Sequence, residues 1–126
     1  MVKKLLLLLV LGSVITSCYQ PERNCQNYKN GKFTFDYVVD SITKTGVFTR
    51  QDDLSIEYYD GKVDSATVRW INDCEYVVKK INPQHIGEEK PVHIKILTTT
   101  DNSYTFEFSI VGNSKTKSKG TAVKTD

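Results

Sequence analysis

Apolar and polar residues alternate with a period of two along most of the chain after residue 31. Phe33, Phe35, Tyr37 and Val39 fall on one side of an extended segment, with Thr34, Asp36 and Asp40 on the other. That period places one set of side chains on each face of a β-strand. Leu54, Ile56 and Tyr58 alternate with Ser55, Glu57 and Tyr59, and Ala66, Val68 and Trp70 with Ser65, Thr67 and Arg69. Cys74, Tyr76 and Val78 begin a strand that ends near Ile81. Val92, Ile94 and Ile96 alternate with His93, Lys95 and Leu97, and Tyr104, Phe106, Phe108 and Ile110 with Thr105, Glu107 and Ser109. Shorter strands are expected from Val47 to Arg50, after Thr45-Gly46, and from Thr121 to Lys124. No stretch after residue 18 carries a helical period.

Turn chemistry divides these segments. Asp60-Gly61 is the clearest hairpin signal, because a type I′ turn needs positive φ at both central residues. Asn72-Asp73 and Asp101-Asn102-Ser103 mark further tight turns. Residues 82–91 contain two prolines, a glycine and Glu88-Glu89, and read as a loop, as do residues 112–119. About eight antiparallel strands joined mostly by short turns predict an all-β meander. Closing such a sheet removes its exposed edges, so a small lipocalin-like barrel is expected, with an open β-sandwich as the alternative.

The first residues follow a different pattern. Lys3 and Lys4 precede an unbroken apolar run from Leu5 to Leu11, and small residues then lead into Cys18. This order matches a secretory signal peptide, and the run is too short for the ~20 residues that span a bilayer. Ile15-Thr16-Ser17-Cys18 resembles the lipobox of bacterial lipoproteins, and the chain as a whole resembles small single-domain lipoproteins of flavobacterial type. The resemblance implies cleavage before Cys18, a diacylglyceryl group on its sulfur and acylation of the new amino terminus; ordinary signal peptidase cleavage is the competing reading. Expected organisation is therefore a signal peptide over 1–17, a lipidated tether over 18–31 and a β-domain over 32–126. Surface-exported members of that group carry acidic residues directly after the lipidated cysteine. Tyr19-Gln20-Pro21 stands there instead, which favours an outer-membrane anchor facing the periplasm.

Processing changes the charge. The full chain of 126 residues has 17 Lys+Arg against 15 Asp+Glu; loss of Lys3 and Lys4 leaves a neutral chain. A nucleic-acid partner, which calls for a basic face, is not expected. Lys115, Lys117 and Lys119 read as a solvated loop. With Cys18 lipidated, Cys25 and Cys74 remain, and an even pair in an exported chain reads as one disulfide, with free thiols or a metal pair as alternatives.

Candidate chemistry is sparse. His85 and His93 lack zinc-motif spacing, so no metal or cofactor is expected. Glu57 and Asp60, on a strand and its turn, are expected to face water, and neither a nucleophile motif nor a phosphate loop occurs. The remaining signal is aromatic: Phe33 and Phe35, Phe106 and Phe108, and Trp70. A filled core is the expected explanation. The alternative is a pocket that these five side chains would line. The expected function is thus a non-catalytic binding or interaction module at the cell envelope, recognising a protein partner through residues 82–91 or 112–119. A carrier of a small apolar ligand and an envelope hydrolase are the alternatives.

Overall fold

The computed structural model of the chain describes residues 23–126. The expected signal peptide and Cys18 lie outside the described residues. Eight strands follow in order: β1 (Gly31–Val39), β2 (Ile42–Gln51), β3 (Leu54–Tyr59), β4 (Lys62–Asn72), β5 (Glu75–Lys80), β6 (Val92–Thr99), β7 (Ser103–Ile110) and β8 (Ser118–Lys124). Each pairs antiparallel with the next, and β8 returns to β1, so the meander closes into a barrel rather than a sandwich. Among the described residues no helix is long and apolar enough to cross a membrane.

Hairpin geometry explains the tight registers. Asp60 and Gly61 both have positive φ, 49° and 71°, as the type I′ turn requires. A second such turn, Asp40-Ser41 with φ of 50° and 64°, starts β2 at Ile42, five residues earlier than the alternation suggested. β8 likewise begins at Ser118, three residues ahead of the expected strand. Two glycines make room for rings inside the barrel. Phe35 pairs across the sheet with Gly46 and Phe106 with Gly120. A Cβ at Gly120 would stand 2.8 Å from the Phe106 ring.

The two ends of the barrel differ. The β2–β3, β4–β5 and β6–β7 turns lie at one end, with a 3-10 turn, Cys25–Tyr28, packed into it. Expected as part of a polar tether, this turn instead buries Cys25 and Tyr28 to 2 % exposure. The Cys25–Cys74 disulfide fastens it to the β4–β5 turn. Gln26 Nε2 donates to Asp73 Oδ1 (2.7 Å), Tyr28 Oη to the Thr100 carbonyl (2.6 Å) and Lys124 Nζ to the Asn27 carbonyl (2.9 Å). Above the turn lies an aromatic layer in which Phe33 stacks on Phe48 at 4.8 Å and meets Tyr104 edge-on at 5.8 Å. Val68, Ile96 and Ala122 complete this floor. The other end, bounded by the remaining hairpins and the 82–91 loop, has no such plug among the described residues.

The bond spans 49 residues, which on the chain-entropy account corresponds to about 4 kcal/mol. Replacing Cys25 and Cys74 together by alanine is expected to lower the unfolding free energy by about that much. Urea unfolding followed by circular dichroism measures it; an unchanged midpoint would mean that the floor holds without the bond.

Candidate functional site

Partners facing each other across antiparallel strands share a face, so the barrel's inner surface follows from its register. Phe48 and Arg50 point inward from β2; their partners on β3 are Glu57 and Ser55. Asp64 and Ala66 of β4 pair with these in turn. The polar side of β3 is therefore the inner one, and Glu57 is partly buried against the barrel interior instead of facing water as expected. Leu54 and Tyr58 are exposed on the outer wall, 41 % and 45 %. Asp60, by contrast, sits at the surface paired with Lys44 at 2.9 Å.

Above the aromatic floor the interior is hollow. A cavity of about 770 Å³ opens at the unplugged end. Phe35, Phe48, Phe106, Phe108, Val78 and Ile94 form its apolar wall. Ser55, Glu57, Asp64 and Lys80 form a polar strip on the β3–β5 side. The core is thus filled only in its lower half. Of the five aromatics singled out in the sequence, Phe35, Phe106 and Phe108 line the cavity. Phe33 is fully buried in the floor, and Trp70 packs there at 4.5 Å from Tyr76. The wall is incomplete at one seam: β1–β8 pairing stops at Phe35–Ala122, although both strands continue toward the mouth. Around that mouth Val38, Ile42, Val63, Ile86 and Val111 are exposed.

The polar strip is an interlocked set. Asp64 accepts from Tyr59 Oη at 2.6 Å and pairs with Lys80 at 3.2 Å. Lys80 also reaches Glu88 at 3.1 Å, tying β5 to the 3-10 turn Ile86–Glu89 at the mouth. The Tyr59 hydrogen bond, aided by Lys80 against burial, holds Asp64 below the usual carboxylate range. The backbone N–H of Gln84 and then Lys80 do the same for Glu88. Glu57 is the exception. Among the described residues it has no hydrogen bond or ion pair; burial, reinforced by the facing Asp64 and only partly offset by Lys80, raises its pKa.

Arg50 lies where floor and cavity meet, 3 % exposed. Its Nε donates to the Lys29 carbonyl (3.0 Å), Nη1 to Tyr76 Oη (3.0 Å) and Nη2 to the Tyr28 carbonyl. Four rings surround the guanidinium, Tyr76 at 4.7 Å, Phe33 at 5.0 Å, Trp70 at 5.4 Å and Phe48 at 5.6 Å. Tyr76 Oη also bonds Tyr104 Oη at 3.2 Å. No carboxylate lies within ion-pair distance of Arg50 among the described residues. Sequence reasoning missed Arg50 and placed Glu57 in water, since charged residues in strands read as solvent-facing.

His93 lies on the outer face beside Glu75 at 3.6 Å, and His85 is exposed beside Glu88. No group of three or more metal-binding side chains occurs among the described residues. Comparison with protein-family models, with curated proteins and with solved structures finds no match.

Because folded Glu57 keeps its proton to higher pH than the unfolded chain does, the folded state binds more protons between the ordinary carboxylate range and the raised value. Stability from this group is full below that window and falls as pH rises through it. Glu57→Gln is expected to raise the urea midpoint at pH 7 and leave it unchanged at pH 4 and below, measured as the difference from the parent chain across pH 4–8. Equal midpoints at pH 7 would mean that Glu57 is not strained by its site.

Proposed function

We propose that this chain is a lipid-anchored envelope protein whose barrel binds a small, largely apolar ligand without transforming it. The cavity carries this reading. Its volume, about 770 Å³, falls inside the ~300–1,000 Å³ range of small-molecule sites, and its wall is mainly aromatic and aliphatic with a few convergent polar groups. A chain of this size gains stability by filling its core, so a hollow half calls for an occupant. The plugged floor and the disulfide supply the rigidity that a preformed pocket requires.

The anchor fits this arrangement. Cys18 precedes Arg23 by five residues, at most about 18 Å of extended chain. Arg23 Nη1 donates to the Ile96 carbonyl, at the plugged end. Lipid on Cys18 would hold the floor toward the anchoring membrane and turn the mouth away from it. A second reading, recognition of a protein partner at the envelope, draws support from the outward apolar residues Leu54, Tyr58 and Val63 on β3 and β4.

Two measurements test the proposal. The full chain carrying Cys18→Ser, titrated with N-phenyl-1-naphthylamine, is expected to enhance the probe's fluorescence saturably, with a stoichiometry of one. Ile94→Trp, which fills the cavity, should weaken this by about tenfold or more while leaving the circular dichroism unchanged. Absence of saturable binding in the parent would overturn the carrier reading. For the anchor, Cys18→Ser is expected to release the chain from bacterial membranes and remove the acyl mass; retention with unchanged mass would refute lipidation.

A further inference from the structure

Resting on the carrier reading, we propose that the ligand is a single-chain amphiphile with a carboxylate head, bound head-inward on Arg50, Tyr76 and Tyr104. A guanidinium has five N–H donors, and Arg50 spends three, on two backbone carbonyls and the Tyr76 hydroxyl. The Tyr76 and Tyr104 hydroxyls carry one proton each, and their mutual bond uses one. A further Arg50 N–H interacts with the Tyr104 hydroxyl, so one N–H and one O–H are left over at the base of the cavity, which all three residues line. No acceptor among the described residues takes them. The group that complements a surplus of donors beside an unpaired buried cation is an acceptor-only anion. A carboxylate provides two such oxygens.

The charge distribution favours the floor over the mouth. Lys80 is neutralised by Asp64 and Glu88, and the other lysines that line the cavity, Lys90 and Lys119, are exposed to water, which screens their charge. Among the described residues Arg50 is the one buried charge and has no anionic partner, and the low dielectric around it strengthens attraction for a guest. Above it Phe35, Phe48, Phe106 and Phe108 offer apolar surface for a hydrocarbon chain leading toward the open end. Trp70, the single tryptophan, stands 5.4 Å from the guanidinium and reports occupancy of the floor.

The test compares dodecanoate, 1-dodecanol and dodecylamine on the full chain with Cys18→Ser, at pH 7.5, by Trp70 fluorescence and calorimetry. Dodecanoate is expected to bind at least about tenfold more tightly than dodecanol, the effect of charge-assisted hydrogen bonds in a dry site. With a ¹³C-carboxyl label, the bound head should titrate below its ordinary pKa, because the Arg50 charge favours the ionised form. Tyr104→Phe keeps the ring and removes a donor; it should weaken dodecanoate several-fold and leave dodecanol unchanged. Arg50 also holds the Cys25–Tyr28 turn, so its own replacement is not needed. Equal binding of acid and alcohol would overturn the head-inward carboxylate while leaving the carrier reading intact. Preference for the amine would overturn it in favour of a head beside Glu57 and Asp64. Failure of all three to bind would overturn both readings.

Discussion

A guanidinium enclosed almost completely by protein, with no carboxylate beside it among the described residues, constrains everything at the lower end of this barrel. Stripping a full charge of water is costly unless hydrogen bonds and polarisable surfaces replace the lost hydration. Arg50 meets that demand with the Tyr28 and Lys29 carbonyls, the Tyr76 hydroxyl and the faces of four rings. The carbonyls are available only because the chain before β1 folds back as a 3-10 turn into the barrel end. The disulfide and the Tyr28–Thr100 bond keep that turn in place. Aromatic layer, plug and covalent clamp therefore form one unit around a single cation.

The same unit determines where space is left. With Tyr28, Phe33 and Tyr104 filling the base, the inward residues farther up, Phe35, Phe106 and Phe108 among them, line a hollow instead of closing it. Gly46 and Gly120 deepen the hollow, since each gives its inward position to the ring of a neighbour, Phe35 or Phe106. One wall is lined by charged groups rather than by further apolar side chains. Asp64, Lys80 and Glu88 satisfy one another, but Glu57 faces Asp64 in direct register, where like charges repel. A site shaped by stability alone would place an apolar residue there.

Strand number and meander order were legible because alternation and turn residues recur along the whole domain, whereas barrel and sandwich share that alternation and only the β8–β1 pairing separates them. Alternation fixes a period, however, and not which face is inner. On β3 the more apolar set, Leu54, Ile56 and Tyr58, lies outside because the register with Phe48 and Arg50 turns Ser55 and Glu57 inward. The Asp40-Ser41 turn was hidden for a related reason. Its positive φ values fall on residues without glycine's signature, although aspartate tolerates that region better than most. Tyr28, in a polar stretch rich in asparagine, gave no sign of burial before its contacts were known.

Half of the candidate site was legible in the same way. Phe35, Phe106 and Phe108 could be picked out as a stripe, whereas Phe33 and Trp70, drawn from equivalent stripes, belong to the floor. Height along the barrel axis separates the two groups, and that depends on where the plug sits. Arg50 could not be recognised at all from its local sequence, Phe48-Thr49-Arg50-Gln51, which reads as an ordinary strand end. Its burial arises from residues 21 to 26 positions away, on both sides in sequence, among them the Lys29 carbonyl and the Tyr76 hydroxyl. A cation held by such distant donors and acceptors is assembled only when the barrel closes. Formation of the floor and formation of the anion site are consequently one event, and a ligand bound to Arg50 would stabilise the very contacts that create its site.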